Sequence, residues 1–182
     1  QVDDIRLAFQ WSRVRLPTEE ATQALYALDQ ANAWSQPVAA LCEIMIQTGE
    51  GLADAIAIIT ANHVAQGDSA IIEGDGILPT IVDHPQIRPL IASGVVHIVF
   101  VLPDSRDEIT HRLRDRGRDA SQGNDDVVIR NCEMHWQFTR WLRERATERS
   151  LPIVPPSPLD TLADRILHKW PLTRDAHGET GT

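Results

Sequence analysis

Residues 69–79 read Ser-Ala-Ile-Ile-Glu-Gly-Asp-Gly-Ile-Leu-Pro. The short apolar run at 69–72 is bounded by turn residues, a pattern typical of a strand that is buried on both faces. Glu73 and Asp75 follow this run directly, within a glycine-containing turn. A second run at 95–101 is β-branched and almost continuously apolar, and the segment 152–155 predicts a short third strand.

Helical periodicity separates these predicted strands. The most regular stretch is 41–63, where apolar residues recur every three or four positions, and Gly67 is expected to end that helix. Further helices are predicted at the N-terminus and over 103–116, 126–150 and 159–170. Alternating strands and helices predict an α/β fold, a three-layer sandwich with a parallel sheet. Ligands gather at the carboxyl ends of such strands, which here means 73–75, 102–105 and 155–158.

The overall composition of the chain argues against several classes of function. The chain has 182 residues, with 17 basic and 26 acidic side chains and a formal net charge of -9. This acidic balance argues against nucleic acid as a partner, because duplex binding usually requires a basic face. We expect a cytoplasmic protein without a membrane segment. The only two cysteines, Cys42 and Cys132, suggest neither a disulfide framework nor a metal site, so no metal ligands are predicted.

The order of these segments resembles a known superfamily. A strand that ends in Glu73-Gly74, a later strand leading into an arginine-rich helix, and a final strand and helix are similar to the small P-loop kinases. Within that superfamily the chain is most similar to the 2-phosphoglycerate kinase-like and nucleoside monophosphate kinase-like proteins. The opening Val2-Asp3-Asp4-Ile5-Arg6 resembles the start of their substrate-side helix. The resemblance implies a kinase-like domain at 1–170, with a lid region at about 112–130 and a flexible tail at 171–182.

The resemblance implies an ATP-dependent phosphotransferase that acts with Mg²⁺ on a small-molecule substrate, a hydroxyl or phosphate acceptor. The chain differs from these kinases in one important respect: it has no Gly-x-x-x-x-Gly-Lys-Ser/Thr loop to hold the phosphates of ATP. We expect an N-terminally incomplete, P-loop NTPase-like domain that is inactive as it stands, with a degenerate relative as the second choice. The alternative function is a non-catalytic binding or regulatory domain that retains the kinase scaffold. ATP and Mg²⁺ are therefore expected of the complete family domain, and neither is assured for this chain.

Acidic residues are the catalytic candidates that the resemblance indicates. Glu73 and Asp75 occupy the position at which the family holds the magnesium shell or activates a hydroxyl. The alternative is a pair of solvated turn acids. Asp4 and Arg6 are the candidates for acceptor binding, although acids at this position also suit a helix start.

Arginines supply the remaining candidates. By resemblance, lid arginines neutralise charge on the transferring phosphoryl group, and Arg116, Arg118 and Arg130 are predicted to do so. The alternative is a charged helix face on which these arginines pair with neighbouring acids. A homo-oligomer built from the long helices is a further hypothesis.

Overall fold

The computed structural model describes residues 1–27, 30, 33–115 and 125–170. The α-helices are α1 Val2–Trp11, α2 Glu19–Ala27, α3 Val38–Gln66, α4 Arg88–Ala92, α5 Arg106–Asp115, α6 Asp125–Glu148 and α7 Leu162–Leu167. Short 3₁₀ turns occupy Ala33–Ser35, Pro79–Asp83 and Leu159–Thr161. The strands are β1 Phe100–Val101 and β2 Ile153–Val154.

Helix α3 is the longest described element and runs through the centre of the fold. It packs against α2 and against α6. Gly67 adopts a left-handed conformation with φ of 73°, and its amide donates to the Val64 carbonyl at 3.1 Å. Glycine suits this position because it has no Cβ to clash in the left-handed region. The prediction of a long helix that ends at Gly67 is therefore confirmed.

Two glycines inside α3 allow close packing and do not interrupt the helix. A Cβ atom at Gly49 would lie 2.7 Å from Leu78 Cγ, and one at Gly51 would lie 2.6 Å from Leu16 Cδ1. Leu78 and Leu16 are both buried. The missing side chains on α3 thus create two hollows, and each hollow holds a leucine from another part of the chain.

The predicted three-layer sandwich with a parallel sheet is wrong. The described residues are mostly helical, and their sheet consists of β1 and β2 alone, paired in parallel with Phe100 opposite Ile153. Each strand has only two residues. The second and third predicted strands are therefore adjacent and parallel as expected, but much shorter, and helices α5 and α6 form the crossover between them.

The first predicted strand, at 69–72, is not a strand. The segment is irregular, and no backbone hydrogen bond joins its residues to any other described part of the chain. Ile71 is 94% exposed, while Ile72 is half-buried. An apolar run acquires strand structure only when a neighbouring strand satisfies its amides and carbonyls, and no described neighbour does so here.

The other predicted helices are confirmed with shifted ends. The predicted helix at 126–150 is α6, the one at 103–116 is α5, and the one at 159–170 is divided into a 3₁₀ turn and α7. Within α1 the buried residues are Val2 and Gln10, whereas Trp11 is 84% exposed. Ile5 and Phe9 also pack against the core, so the inner face of α1 combines apolar side chains with the polar Gln10.

Within the described part of the chain the buried apolar side chains form three clusters, and α3 contributes to two of them. The first combines Cys42 and Ile46 of α3 with Phe100 of β1 and Phe138 of α6. The second lies around Leu52, Ile56 and Ala57 of α3, with Val2, Ile81 and Ile87. The third joins Leu16 to Ala21 and Leu25 of α2. Helix α3 therefore links the strand pair at one end to α1 at the other.

Helix α3 is also the only described helix long and apolar enough to cross a membrane by length and composition. The same properties are expected of a helix that supplies the core of a folded domain. Its packing against α2 and α6 gives it that second role here. No other observation on the described residues points to a membrane.

The hollow at Gly49 can be tested by substitution. Alanine usually stabilises a helix interior by about 1 kcal/mol relative to glycine. Here the added Cβ would overlap Leu78, so we expect Gly49→Ala to lower the free energy of unfolding by about 1–3 kcal/mol. Denaturant unfolding measures this change. In a Leu78→Ala background the same substitution should become neutral or stabilising, and a stabilising Gly49→Ala in the unmodified chain would contradict the packing.

Candidate functional site

The carboxyl edge of the strand pair brings together two of the three turns that the sequence indicates. Residues 102–105 follow β1, and residues 155–158 follow β2. Because the strands are parallel and adjacent, both turns leave the same edge. Helix α5 begins at Arg106, directly after the first turn. The turns that the sequence places at two strand ends therefore lie side by side at this edge.

Glu108 is the centre of this group. Ser157 Oγ donates to Glu108 Oε1 at 2.5 Å, and Arg112 Nη2 donates to the same oxygen at 3.3 Å. Arg112 Nη2 also lies 3.4 Å from Ser157 Oγ. The side chain of Glu108 is 19% exposed, so these contacts are partly shielded from water. A carboxylate, a guanidinium and a hydroxyl thus meet at one point between α5 and the turn after β2.

The start of α5 explains why Glu108 points toward the edge. Its amide donates to Ser105 Oγ at 3.2 Å, and its Oε2 accepts from the Asp104 amide at 3.4 Å. This arrangement is close to a capping box, in which a serine and a glutamate three residues later satisfy free amides at a helix start. Contacts within four residues along the chain therefore help to position Glu108.

Two further arginines hold the turns in place. Arg143 of α6 donates to the Pro103 carbonyl at 3.0 Å and to Asp104 Oδ1 at 2.9 Å. Arg165 of α7 donates to the carbonyls of Pro155, Pro156 and Pro158. Prolines supply carbonyl acceptors but no amide donors, so a guanidinium is well suited to binding this turn. The carboxyl edge is thus bordered by guanidinium groups from α5, α6 and α7.

Chemically, this edge can bind an anionic oxygen. Arg112 and Arg143 each bond a carboxylate, so an arriving phosphate would have to share or replace that carboxylate. Guanidinium groups suit phosphate because they offer parallel donors. The serine hydroxyl adds a donor that can rotate.

The structure places Glu73 and Asp75 elsewhere, against the start of α1. The Val2 amide donates to the Glu73 carbonyl at 2.9 Å. Gly74 has φ of 150°, and a Cβ there would lie 2.7 Å from Val2 Cβ. The backbone of this turn is therefore held against α1, while both carboxylates are exposed and have no described hydrogen-bond or ion-pair partner.

Asp4 and Arg6 lie on the first two turns of α1, whose N-terminus contacts the Glu73 turn. The side chain of Asp4 is 77% exposed. Arg6 donates to Asp3 Oδ1 at 3.3 Å and to Gln10 Oε1 at 3.2 Å. Gln10 in turn donates to the Leu25 carbonyl of α2 at 2.6 Å. Arg6 thus supports the contact between α1 and α2, and its role toward an acceptor stays a prediction.

The predicted lid arginines are only partly described. Arg116 and Arg118 lie outside the described residues, as do the rest of 116–124 in the lid region and the tail at 171–182. Arg130 lies on α6 and donates to the Gln36 carbonyl at 3.0 Å. This bond links α6 to the segment before α3. No described contact joins Arg130 to Glu73 or to the carboxyl edge.

Sequence reasoning named the two turns at this edge but missed most of its side chains. The sequence predicts Glu108 only as one of the acids near the arginine-rich helix, and it predicts no role for Ser157, Arg143 or Arg165. The Ser-x-x-Glu spacing of Ser105 and Glu108 was an available signal. No such signal marks Arg143 or Arg165. Arg143 binds the Asp104 carboxylate, which lies 39 residues away in the sequence. Arg165 binds backbone carbonyls of prolines that lie 7 to 10 residues away.

Neither cysteine has the features of a nucleophile. Burial, with a smaller contribution from the charge of Glu43, raises the pKa of the Cys42 thiol above its ordinary value. Cys132 is buried, with Sγ 2.9 Å from Thr110 Oγ1. A raised pKa keeps Cys42 protonated at neutral pH and lowers its reactivity. Within the described ranges, no three His, Cys, Asp or Glu residues are grouped so that they could hold a metal ion.

A separate groove of about 410 Å³ lies between α2 and α3. It is bordered by the acidic residues Glu20, Glu43, Glu50 and Asp54. Asp54 also contacts His84, whose Nε2 lies 2.9 Å from Asp54 Oδ1. None of the residues that the sequence predicts for a site borders this groove.

Comparison with known protein families, with curated proteins and with solved structures finds no match for this chain.

The contact between Ser157 and Glu108 can be measured by a double-mutant cycle. We expect Ser157→Ala and Glu108→Ala to interact by about 0.5–3 kcal/mol in the free energy of unfolding, because each removes one partner of the same hydrogen bond. Denaturant unfolding of the two single variants and the double variant gives this value. Ser157→Ala combined with Glu148→Gln, on the surface of α6, should be additive. If the Ser157 and Glu108 substitutions are also additive, the carboxyl-edge cluster, which we define as Glu108, Arg112 and Ser157, is not formed.

Proposed function

We propose that this chain is part of an ATP-dependent phosphotransferase that acts on a small hydroxyl or phosphate acceptor. The observation that carries the proposal is the carboxyl edge of the parallel strand pair, where Arg112, Arg143, Glu108 and Ser157 converge. In parallel units with helical crossovers, ligands bind at this edge. Guanidinium groups stabilise the charge of a transferring phosphoryl group, and carboxylates orient acceptors.

The residues present do not fit the triphosphate of ATP. The 182 residues contain no Gly-x-x-x-x-Gly-Lys-Ser/Thr segment, and the single lysine, Lys169, has no glycines before it. Arg112 and Arg143 already bond carboxylates. The proposal therefore requires that ATP and its Mg²⁺ be held mainly by residues other than these. What the chain itself would supply is acceptor binding and charge neutralisation.

Glu73 lies against α1 and not at the carboxyl edge, and we propose it as the group that polarises the acceptor or organises a magnesium shell. Its carboxylate is exposed and has no described partner, so it is available to a ligand. The Val2 amide donates to the Glu73 carbonyl, and this bond fixes the position of the backbone from which the side chain extends. Asp75 is proposed in a lesser role, and Asp4 and Arg6 as acceptor contacts on the adjacent helix α1.

A second candidate is a non-catalytic binding or regulatory domain. It is favoured by one observation, the pairing of both edge arginines with carboxylates of the same chain. Such pairing stabilises the turns even when no ligand is bound. In either case we propose a cytoplasmic protein with a small-molecule ligand, possible assembly into homo-oligomers, and no nucleic-acid partner because of its net charge of -9.

The first test concerns ATP. Scattered arginines cannot replace a loop of backbone amides that surrounds the phosphates, so we expect the 182-residue chain to show no micromolar site for Mg-ATP. Calorimetric titration measures this. A well-defined micromolar site would mean that the described residues hold the triphosphate themselves, and the division of roles proposed above would be wrong.

The second test concerns Glu73, in a form of the protein that includes a phosphate-binding loop. Glu73→Gln keeps the size of the side chain and the bond to Val2, which uses the backbone carbonyl. We expect turnover to fall by orders of magnitude while the melting temperature barely changes. Steady-state rates and thermal melts measure both quantities.

Asp75→Asn is the matched control, because it removes a charge from the same turn. It should cost less activity than Glu73→Gln. If both variants keep full activity, the two residues are solvated turn acids. If Glu73→Gln instead lowers stability and activity together, Glu73 has a structural role, and the catalytic assignment is withdrawn.

A further inference from the structure

Ser157 is exposed, and its hydroxyl lies between a carboxylate and a guanidinium. Its Oγ donates to Glu108 Oε1 at 2.5 Å, and Arg112 Nη2 lies 3.4 Å from the same Oγ. A serine hydroxyl has one proton and two lone pairs. The proton is shared with the carboxylate and one lone pair faces the guanidinium, so the second lone pair has no partner among the described residues. A hydroxyl that is hydrogen-bonded to a base is the arrangement that activates serine as a nucleophile.

The turn that carries Ser157 is held by its composition and by a guanidinium. It reads Pro155-Pro156-Ser157-Pro158, and each proline ring fixes one φ angle. Arg165 of α7 donates to the carbonyls of all three prolines, on both sides of the serine. The backbone around Ser157 is therefore held without any use of its hydroxyl.

Glu108 is oriented to accept the serine proton. Its Oε1 accepts from Ser157 and from Arg112, and its Oε2 accepts from the Asp104 amide at 3.4 Å. Contacts to both oxygens fix the direction in which the carboxylate faces. In phosphoryl transfer to a hydroxyl, a carboxylate placed in this way accepts the proton of the attacking oxygen.

The surroundings of Ser157 favour a phosphoryl group over an acyl group. Acyl transfer to a serine uses backbone amides to stabilise the oxyanion, commonly including the amide of the next residue. The next residue here is Pro158, which has no amide hydrogen. Arg112 is within reach of the hydroxyl instead, and a guanidinium binds phosphoryl oxygens with parallel donors.

The class of phosphoryl donor follows from the sequence. The chain contains no Gly-x-x-x-x-Gly-Lys-Ser/Thr segment, so a donor that needs a loop around a triphosphate does not fit these residues. A small acyl phosphate has a single phosphoryl group, which a guanidinium can bind. Its leaving group is a carboxylate, which departs as a stable anion and takes no proton.

We propose that Ser157 is a phosphoryl-acceptor site for small acyl phosphates, with Glu108 as the base. Ser157 Oγ forms a bond to phosphorus while the bond between phosphorus and the acyl oxygen breaks. The serine proton passes to Glu108 Oε1 and then to water, and the acyl group leaves as a carboxylate. Arg112 neutralises charge on the phosphoryl oxygens. This inference shares the carboxyl edge with the proposed function but requires neither ATP nor Glu73, so either one can fail without the other.

The test incubates the 182-residue chain with acetyl phosphate and follows the intact mass with time. We expect the chain to gain the mass of one phosphoryl group, and tandem mass spectrometry to place that group on Ser157. Ser157→Ala should lose the gain. Ser93→Ala is the matched control, because Ser93 is an exposed serine whose hydroxyl bonds the Leu90 carbonyl rather than a carboxylate. It should be modified at the rate of the unmodified chain.

Two further variants examine the base. Glu108→Gln cannot accept a proton and should slow the modification by about 10²- to 10⁴-fold. Its amide oxygen can still accept from Ser157, so a purely structural role for Glu108 would leave the rate unchanged. Glu108→Asp keeps a carboxylate and should recover part of the rate. Glu148→Gln, on the surface of α6, is the control for loss of a charge, and circular dichroism measures whether each variant is folded.

Four results would overturn the proposal. The first is no gain of mass at millimolar acetyl phosphate. The second is an equal gain in Ser157→Ala, which would place the reaction at other residues. The third is an equal rate in Glu108→Gln, because the serine would then react without a base. The fourth is removal of the group by hydroxylamine, which cleaves a phosphorylated carboxylate and leaves phosphoserine intact.

Discussion

The close packing around α3 is the contact on which the rest of the described structure depends. Gly49 and Gly51 lie on a helix that has no break, and the absence of their side chains leaves room for Leu78 on one side and Leu16 on the other. Leu78 belongs to the cluster that includes Phe100 of β1, and Leu16 belongs to the cluster formed with α2. Interiors pack at crystal-like density, so a single methyl group at either position would displace one of these units.

The carboxyl-edge cluster is a consequence of that core. Helix α6 packs on α3 through Phe138 and Leu142, which carries Arg143 to the turn after β1. The strand pair itself is only two residues long, so guanidinium bonds from α6 and α7 supply much of the order in the two turns that follow it. These bonds hold the two turns together when no ligand is present.

The prediction of the fold failed for a specific physical reason. The runs at 69–72 and 95–101 have the composition of buried strands. A strand, however, forms only by hydrogen bonding to a neighbouring strand, and the composition of a segment does not show whether such a neighbour is present. The helices were predicted well because their hydrogen bonds are internal and their periodicity is visible in the sequence. The same difference applies to the site: Glu108 is positioned by a local cap, whereas Ser157 reaches it from 49 residues away.

By itself, the sequence determined the positions of the long helices, the end of α3 at Gly67 and the two turns that would leave parallel strands, since each of these depends on residues that are neighbours along the chain. Only the tertiary structure decided that 69–72 would remain unpaired, that Glu73 would lie against α1, and that Arg112, Arg143 and Ser157 would meet at one edge. Those outcomes depend on which surfaces come together, and that is determined by packing around α3 between residues far apart in the chain.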